Sequence, residues 1–129
     1  MNVAEDLLIK AGTLLPLMEA FYSIQGEGFH TGKSAYFLRI GGCDVGCHWC
    51  DVKESWDANL HPLTKAEDIV KQIDETKINT VVITGGEPLM WNMDFLTKSL
   101  KNKSSGELNI LPVTFITIFL FSFITLLFL

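Results

Sequence analysis

No cysteine occurs outside one short stretch, Cys43-Asp44-Val45-Gly46-Cys47-His48-Trp49-Cys50, so the chain has no thiol to spare for a disulfide. That excludes the cross-linked scaffold of a small secreted domain and points to a reducing compartment in which the thiols serve a metal. A basic block is also missing: 10 Lys and Arg stand against 15 Asp and Glu, for a net charge of -5. This balance argues against nucleic acid as a partner. The N-terminus carries Glu5 and Asp6 and has no apolar run of signal-peptide length, which suits a cytoplasmic protein. With 129 residues the chain is one domain or part of one, well short of the roughly 250 that a complete eight-unit barrel takes.

What is present is organised around the three cysteines. A structural zinc site wants four protein ligands, and an ordinary iron-sulfur cluster wants four cysteines. A cube held by three keeps one iron open, and an open metal position is where chemistry happens. The rival is zinc with His48 as fourth ligand. His48 adjoins Cys47 and Trp49, so ligation together with both flanking cysteines is sterically awkward, and the sequence has no second ligand pair.

Around this loop the pattern is that of alternating strands and helices. Residues 1–13 form a short amphipathic helix through Leu7, Leu8 and Ile9 or remain a loose extension. An apolar, aromatic segment from Leu14 to Gln25 is read as extended, since Pro16 bars a helix running smoothly into it. It enters Gln25-Gly26-Glu27-Gly28, which is either a simple turn or a loop lining a site, with the Gln25 carboxamide available to read a donor and acceptor edge. Ser34 to Ile40 has the composition of a buried strand, and Gly41-Gly42 ends it just before Cys43. The cysteine loop therefore leaves the C-terminal end of a strand, where ligands sit in parallel sheets and barrels. Arg39 is the one charge in this strand and needs either an internal carboxylate or a bound anion.

Thr64 to Glu67 is expected to form a capping box opening a helix whose Ala66, Ile69, Val70 and Ile73 share one buried face. Asn79 to Thr84 is a continuous apolar run of the kind found in parallel strands covered on both faces. It ends in Gly85-Gly86-Glu87-Pro88, and a second helix is expected over about Asn92 to Asn102 with Met93, Leu96 and Leu100 inward. The order strand, cysteine loop, helix, strand, glycine loop, helix is a β/α succession, with both loops opening on one edge of a parallel sheet.

The C-x3-C-x2-C spacing, with Trp49 before the last cysteine and Gly-Gly-Glu-Pro after the next strand, resembles the radical S-adenosylmethionine enzymes. The resemblance implies an α/β fold, the N-terminal part of a partial (β/α) barrel. It also implies that Cys43, Cys47 and Cys50 hold a 4Fe-4S cluster whose fourth iron binds the methionine moiety of S-adenosylmethionine, met by Gly85, Gly86 and Glu87. Reductive cleavage of a sulfonium needs a low-potential electron delivered at the carbon-sulfur bond, which an open cluster iron permits.

Within that superfamily, Phe21 to Gly28, Tyr36 to Cys43, Cys50-Asp51 and Ile83 to Leu89 closely resemble the 7-carboxy-7-deazaguanine synthase family over about residues 14 to 100. That family makes the deazaguanine precursor of queuosine from 6-carboxy-5,6,7,8-tetrahydropterin. The resemblance implies substrate contacts at Ile24, Gln25, Gly26, Arg39 and Thr84, and cofactor contacts at Trp49, Cys50, Asp51 and Gly86. It further implies a flavodoxin-type electron donor, no nucleic acid, and a homodimer for the full-length protein. The family commonly places Thr after Cys-Asp as a magnesium ligand. Here the residue is Val52, whose methyls cannot ligate a hard cation, so magnesium would rest on Asp51, water and substrate. A small activase of glycyl-radical enzymes shares the cysteine loop, but the Gln-Gly-Glu-Gly stretch argues against it.

The last expectation concerns residues 104–129. From Leu108 the chain is uncharged and apolar to its end, where family members continue with further strands and helices. Read as protein, this tail is a transmembrane anchor with Lys98, Lys101 and Lys103 on the cytoplasmic side; the alternative is out-of-frame sequence following a core of residues 14–103. On either reading the expectation is a chain that turns over substrate poorly, or an inactive fragment that keeps the cluster motif.

Overall fold

The computed structural model of the chain describes residues 2–26, 28–103 and 108–112. Glu27 and the apolar tail beyond residue 112 lie outside the described residues, as do residues 104–107. Among the described residues no helix is long and apolar enough to cross a membrane.

The chain begins with helix α1, Val3–Lys10. Asn2 Oδ1 accepts from the Glu5 amide at 2.8 Å, and the Asn2 amide donates to Glu5 Oε2 at 3.0 Å, so this helix carries a complete capping box. Strand β1, Leu14–Ile24, then runs antiparallel to β2, Ser34–Ile40. Residues 25–33 between them are too few for a parallel crossover, which takes a dozen or more residues, so an antiparallel return is the only arrangement open to them. β3, Leu63–Lys65, pairs antiparallel with the start of β1. Helix α2, Ala66–Thr76, leads to β4, Thr80–Gly85, and helix α3, Asp94–Lys103, leads to β5, Asn109–Pro112. Both crossovers return the chain parallel, β2 to β4 to β5. The sheet order is β3-β1-β2-β4-β5. The expected parallel succession thus holds for β2 and β4; β5 lies in the stretch read from sequence as an apolar tail and instead adds a third parallel strand, and β1 and β3 extend the sheet antiparallel.

Both long helices cover one face. Ile69, Val70 and Ile73 of α2 and Leu96 and Leu100 of α3 pack with Tyr36, Leu38, Ile40, Val81 and Ile83 in a single buried cluster. Each such side chain contributes about 1.5–3 kcal/mol by leaving water, and together they fix the sheet in depth and register. The period of α2 was legible, but its expected capping box is absent. Thr64 is committed to the β3 ladder opposite Leu15, and its hydroxyl donates to the Pro62 carbonyl at 3.3 Å. Lys65 occupies the N-cap with no side-chain bond, and the Ala66 amide is satisfied by the Thr13 carbonyl at 2.9 Å. A tertiary contact has replaced the local one.

The other face of the sheet carries the alternate residues. A bulge between Leu17 and Glu19 takes Met18 out of register. Beyond it Glu19 stands opposite Arg39, Phe21 opposite Phe37 and Ser23 opposite Ala35. Arg39 is level in turn with Thr84, and Phe37 with Val82. This inner face, away from α2 and α3, is where the chemistry-bearing side chains collect.

Candidate functional site

Parallel pairing of β2 and β4 puts Gly41-Gly42 and Gly85-Gly86 side by side at one sheet edge, and the cysteine loop grows from there. The junction is held by backbone. The Gly86 amide donates to the Ile40 carbonyl at 2.8 Å, and the Glu87 amide to the Gly42 carbonyl at 2.9 Å. On the far side the Gly42 amide donates to Ser55 at 2.7 Å, and the Cys43 amide to Trp56 at 3.2 Å. The glycines are required by this closeness: at Gly85, with φ +126°, a Cβ would run into the Ile40 backbone, and at Gly86 into the Gly42 carbonyl.

Two side chains brace the root of the loop. Trp91 Nε1 donates to the Gly41 carbonyl at 2.8 Å, and its ring covers Gly42, which has φ +97°. His61 packs against Gly41 and pairs through Nε2 with the Glu54 carbonyl at 3.0 Å. Sequence reasoning missed both, because each acts across the fold and neither belongs to a local motif.

Cys43, Cys47 and Cys50 are free thiols, all half-buried. They line one cavity of about 230 Å³ together with Val45, Trp49, Asp51, Val52, Thr84, Gly85, Gly86 and Glu87. The cofactor residues expected from sequence, Trp49, Cys50, Asp51, Gly85, Gly86 and Glu87, are therefore brought together. Glu87 is nearly buried, and its Oε1 accepts from the Leu89 amide at 3.1 Å, capping the short turn Pro88–Met90. The His48 ring meets Trp49 edge to face, with centroids 4.5 Å apart. Among the described residues no three of His, Cys, Asp and Glu cluster as ligands of a single ion. A cube takes each thiolate on a different iron and so demands a wider spacing than one ion does. Three thiols facing one cavity, with Gly85, Gly86 and Glu87 on its wall, fit a cluster with a bound amino-acid moiety.

A second cavity, of about 380 Å³, lies along the inner face and is lined by Phe21, Ser23, Ile24, Gln25, Gly26, Phe37, Val82 and Thr84. Thr84 lines both cavities. Of the expected substrate residues, Ile24, Gln25, Gly26 and Thr84 meet here. Arg39 does not line this cavity; it stands beside it, level with Thr84, with Nη1 2.8 Å from Glu19 Oε2. Of the two partners left open by the sequence, the internal carboxylate is the one present. Phe21 and Phe37 stack nearly parallel, with ring centroids 5.4 Å apart and planes at 7°. This aromatic floor was not legible beforehand, since it depends on the cross-strand register set by the bulge.

The family model described as the radical SAM superfamily matches residues 37–119. A 7-carboxy-7-deazaguanine synthase from Flavobacterium psychrophilum is 62% identical over 96 residues, covering 74% of this chain and 45% of that protein. The protein of the same name from Synechocystis is 50% identical over 88 residues, covering 68% of this chain and 42% of its own length. The crystal structure of QueE from Escherichia coli superposes with a TM-score of 0.71 at 29% identity, covering 88% of this chain and 57% of that one. The chain spans less than half the length of these two curated relatives. A 4Fe-4S cluster and S-adenosylmethionine are the cofactors that the matched family implies, and the three-thiol cavity fits them. With its cysteine loop at the end of a parallel strand and its Gly-Gly-Glu-Pro turn beside it, the chain belongs to the radical SAM superfamily.

Proposed function

We propose that this chain is the cluster-bearing part of a 7-carboxy-7-deazaguanine synthase, which converts 6-carboxy-5,6,7,8-tetrahydropterin to 7-carboxy-7-deazaguanine. The observation that carries the reading is the sharing of Thr84 by the two cavities: whatever occupies the aromatic cavity abuts whatever the cysteine loop holds. A flat ring with polar edges suits Phe21 and Phe37 below it and Gln25 beside it, and a carboxylate on that ring would reach Arg39.

In this reading Cys43, Cys47 and Cys50 are the three cluster thiolates. Gly85, Gly86 and Glu87 receive the amino group of S-adenosylmethionine through backbone and carboxylate oxygens, and Trp49, Cys50, Asp51 and Gly86 flank the rest of it. When bound, cluster and cofactor supply a one-electron reductive cleavage that generates the initiating radical. The protein's task is positioning: Thr84, Gln25, Gly26 and Ile24 fix the ring at the shared wall, and Arg39 holds the carboxylate by its planar fork. Exclusion of water falls to the apolar lining of Phe21, Phe37, Val82 and Val45. A magnesium ion orienting the substrate would rest on Asp51 and water, because Val52 offers no oxygen side chain. A flavodoxin-type electron donor and, for the full-length protein, a second copy complete the proposed assembly.

Arg39→Lys is the test. An ammonium is a point charge without the bidentate geometry, so the variant should bind the carboxypterin at least about tenfold more weakly while cleaving S-adenosylmethionine nearly as well as the parent. Equal loss of both activities would assign Arg39 a structural role and remove the substrate reading.

A further inference from the structure

Arg39 is the only arginine in the sequence, and its partner is set by an irregularity in the fold. Had β1 run without a bulge, Met18 would stand opposite Arg39 and Glu19 would face the helices. The shift between Leu17 and Glu19 turns the carboxylate to the inner face, opposite Arg39, and Nη1 meets Oε2 at 2.8 Å. The pair is a poor candidate for a stabilising device. Glu19 is 48% exposed and Arg39 23% exposed at the side chain, and ion pairs so open to water add little to stability. It engages one of the five N–H donors that a guanidinium carries, so the fork retains donors for a second acceptor.

We propose that Glu19 is a positioning residue for a carboxylate-bearing ligand. It holds the Arg39 guanidinium on the inner face and cancels part of its charge, so that a simple carboxylate gains little there and one attached to a flat ring is accepted. The inference rests on the reading that Arg39 meets a substrate carboxylate. The discrimination follows from electrostatics. A ligand carboxylate at Arg39 lies close to the like charge of Glu19, and in this half-exposed setting the repulsion weakens any carboxylate by about tenfold. A ligand whose ring also fills the cavity over Phe21 and Phe37, with Gln25 and Thr84 at its edges, recovers that loss. Small carboxylates have no such compensation. The repulsion thus sets a threshold: it lowers every carboxylate alike, and only a ligand with ring contacts to spare stays bound at low concentration.

The experiment is a competition on the full 129-residue chain. Binding of pterin-6-carboxylate is followed by its fluorescence while acetate is titrated in, for the parent, Glu19→Gln and Glu19→Asp, with Arg39→Lys as reference. Glu19→Gln removes the charge and keeps an acceptor, so both carboxylates should bind about tenfold more tightly, and with the pterin held well below its own dissociation constant acetate should displace it at about tenfold lower concentration than from the parent. Glu19→Asp keeps the charge and withdraws the carboxylate by one methylene. Its acetate sensitivity should stay near that of the parent while its pterin affinity falls, because the guanidinium is held less well. A merely structural role for Glu19 would leave acetate sensitivity unmoved in both variants. Parent and Glu19→Gln with equal acetate sensitivity, both weakened by adding Arg39→Lys, would overturn the role of Glu19 and leave the substrate reading standing. A parent chain that binds no pterin-6-carboxylate would overturn both.

Discussion

Gly86→Ala is the perturbation whose consequence can be worked most fully from the structure. A Cβ at Gly86 would strike the Gly42 carbonyl and stand 3.0 Å from the Ser55 carbonyl oxygen. All these atoms are backbone, so no flexible side chain can swing aside. Gly86 does not sit in the left-handed region, and the cost is therefore steric. Forcing one extra carbon into a filled site costs about 1–3 kcal/mol. Parting the loops also stretches the bonds from the Gly86 and Glu87 amides, each worth about 0.5–1.5 kcal/mol. The sum, about 2–6 kcal/mol, is a large share of the 5–15 kcal/mol typical of a folded domain. Relief comes most readily by separation of the Gly41-Gly42 and Gly85-Gly86 loops, which widens the cysteine cavity before it unfolds the core. Urea denaturation and iron retention measured in parallel should show the variant less stable and cluster-poor. Gly26→Ala is the control, since a Cβ there meets nothing within 4 Å; its stability should change by under about 0.5 kcal/mol. A Gly86→Ala protein that unfolds with the parent and keeps its iron would refute the packing argument.

Two further outcomes follow from single contacts. Trp91→Phe removes the donor to Gly41 and should cost about 1–2 kcal/mol in denaturant titrations, with faster loss of iron in air than in the parent. Lys77 ends α2 with φ 58°, a conformation that burdens any residue with a side chain. Lys77→Gly should raise stability by up to about 1 kcal/mol, a gain visible as a higher Tm.

The parts of the fold that were legible in sequence are those whose signal is local. The composition of Ser34 to Ile40, the apolar run into Thr84 and the helical period of Ala66, Ile69, Val70 and Ile73 each report burial that the sheet and helices then realise. The placing of the cysteine loop at a strand end followed from the composition of Ser34 to Ile40 and the Gly41-Gly42 that ends it. What escaped depends on pairing between distant segments. The Met18 bulge decides that Glu19, not its neighbour, meets Arg39, and nothing near Met18 announces it. Phe21 and Phe37 stack only once that register exists. Thr64 carries the residue pattern of a cap, yet β3 pairing with β1 claims its backbone, and the box forms instead at Asn2 and Glu5. Trp91 and His61 brace the cysteine loop from segments well separated from it in sequence, so no motif window contains them.

The three thiols of one cavity are expected to hold a cluster with an open iron that takes S-adenosylmethionine. Anaerobic reconstitution with iron and sulfide, followed by reduction and electron paramagnetic resonance with and without S-adenosylmethionine, tests it directly. The expected result is roughly four irons and four sulfides per chain, a spectrum altered by the added cofactor, and loss of the signal in Cys43→Ala, Cys47→Ala or Cys50→Ala. A protein that returns zinc, or a cluster whose spectrum is indifferent to S-adenosylmethionine, would contradict it.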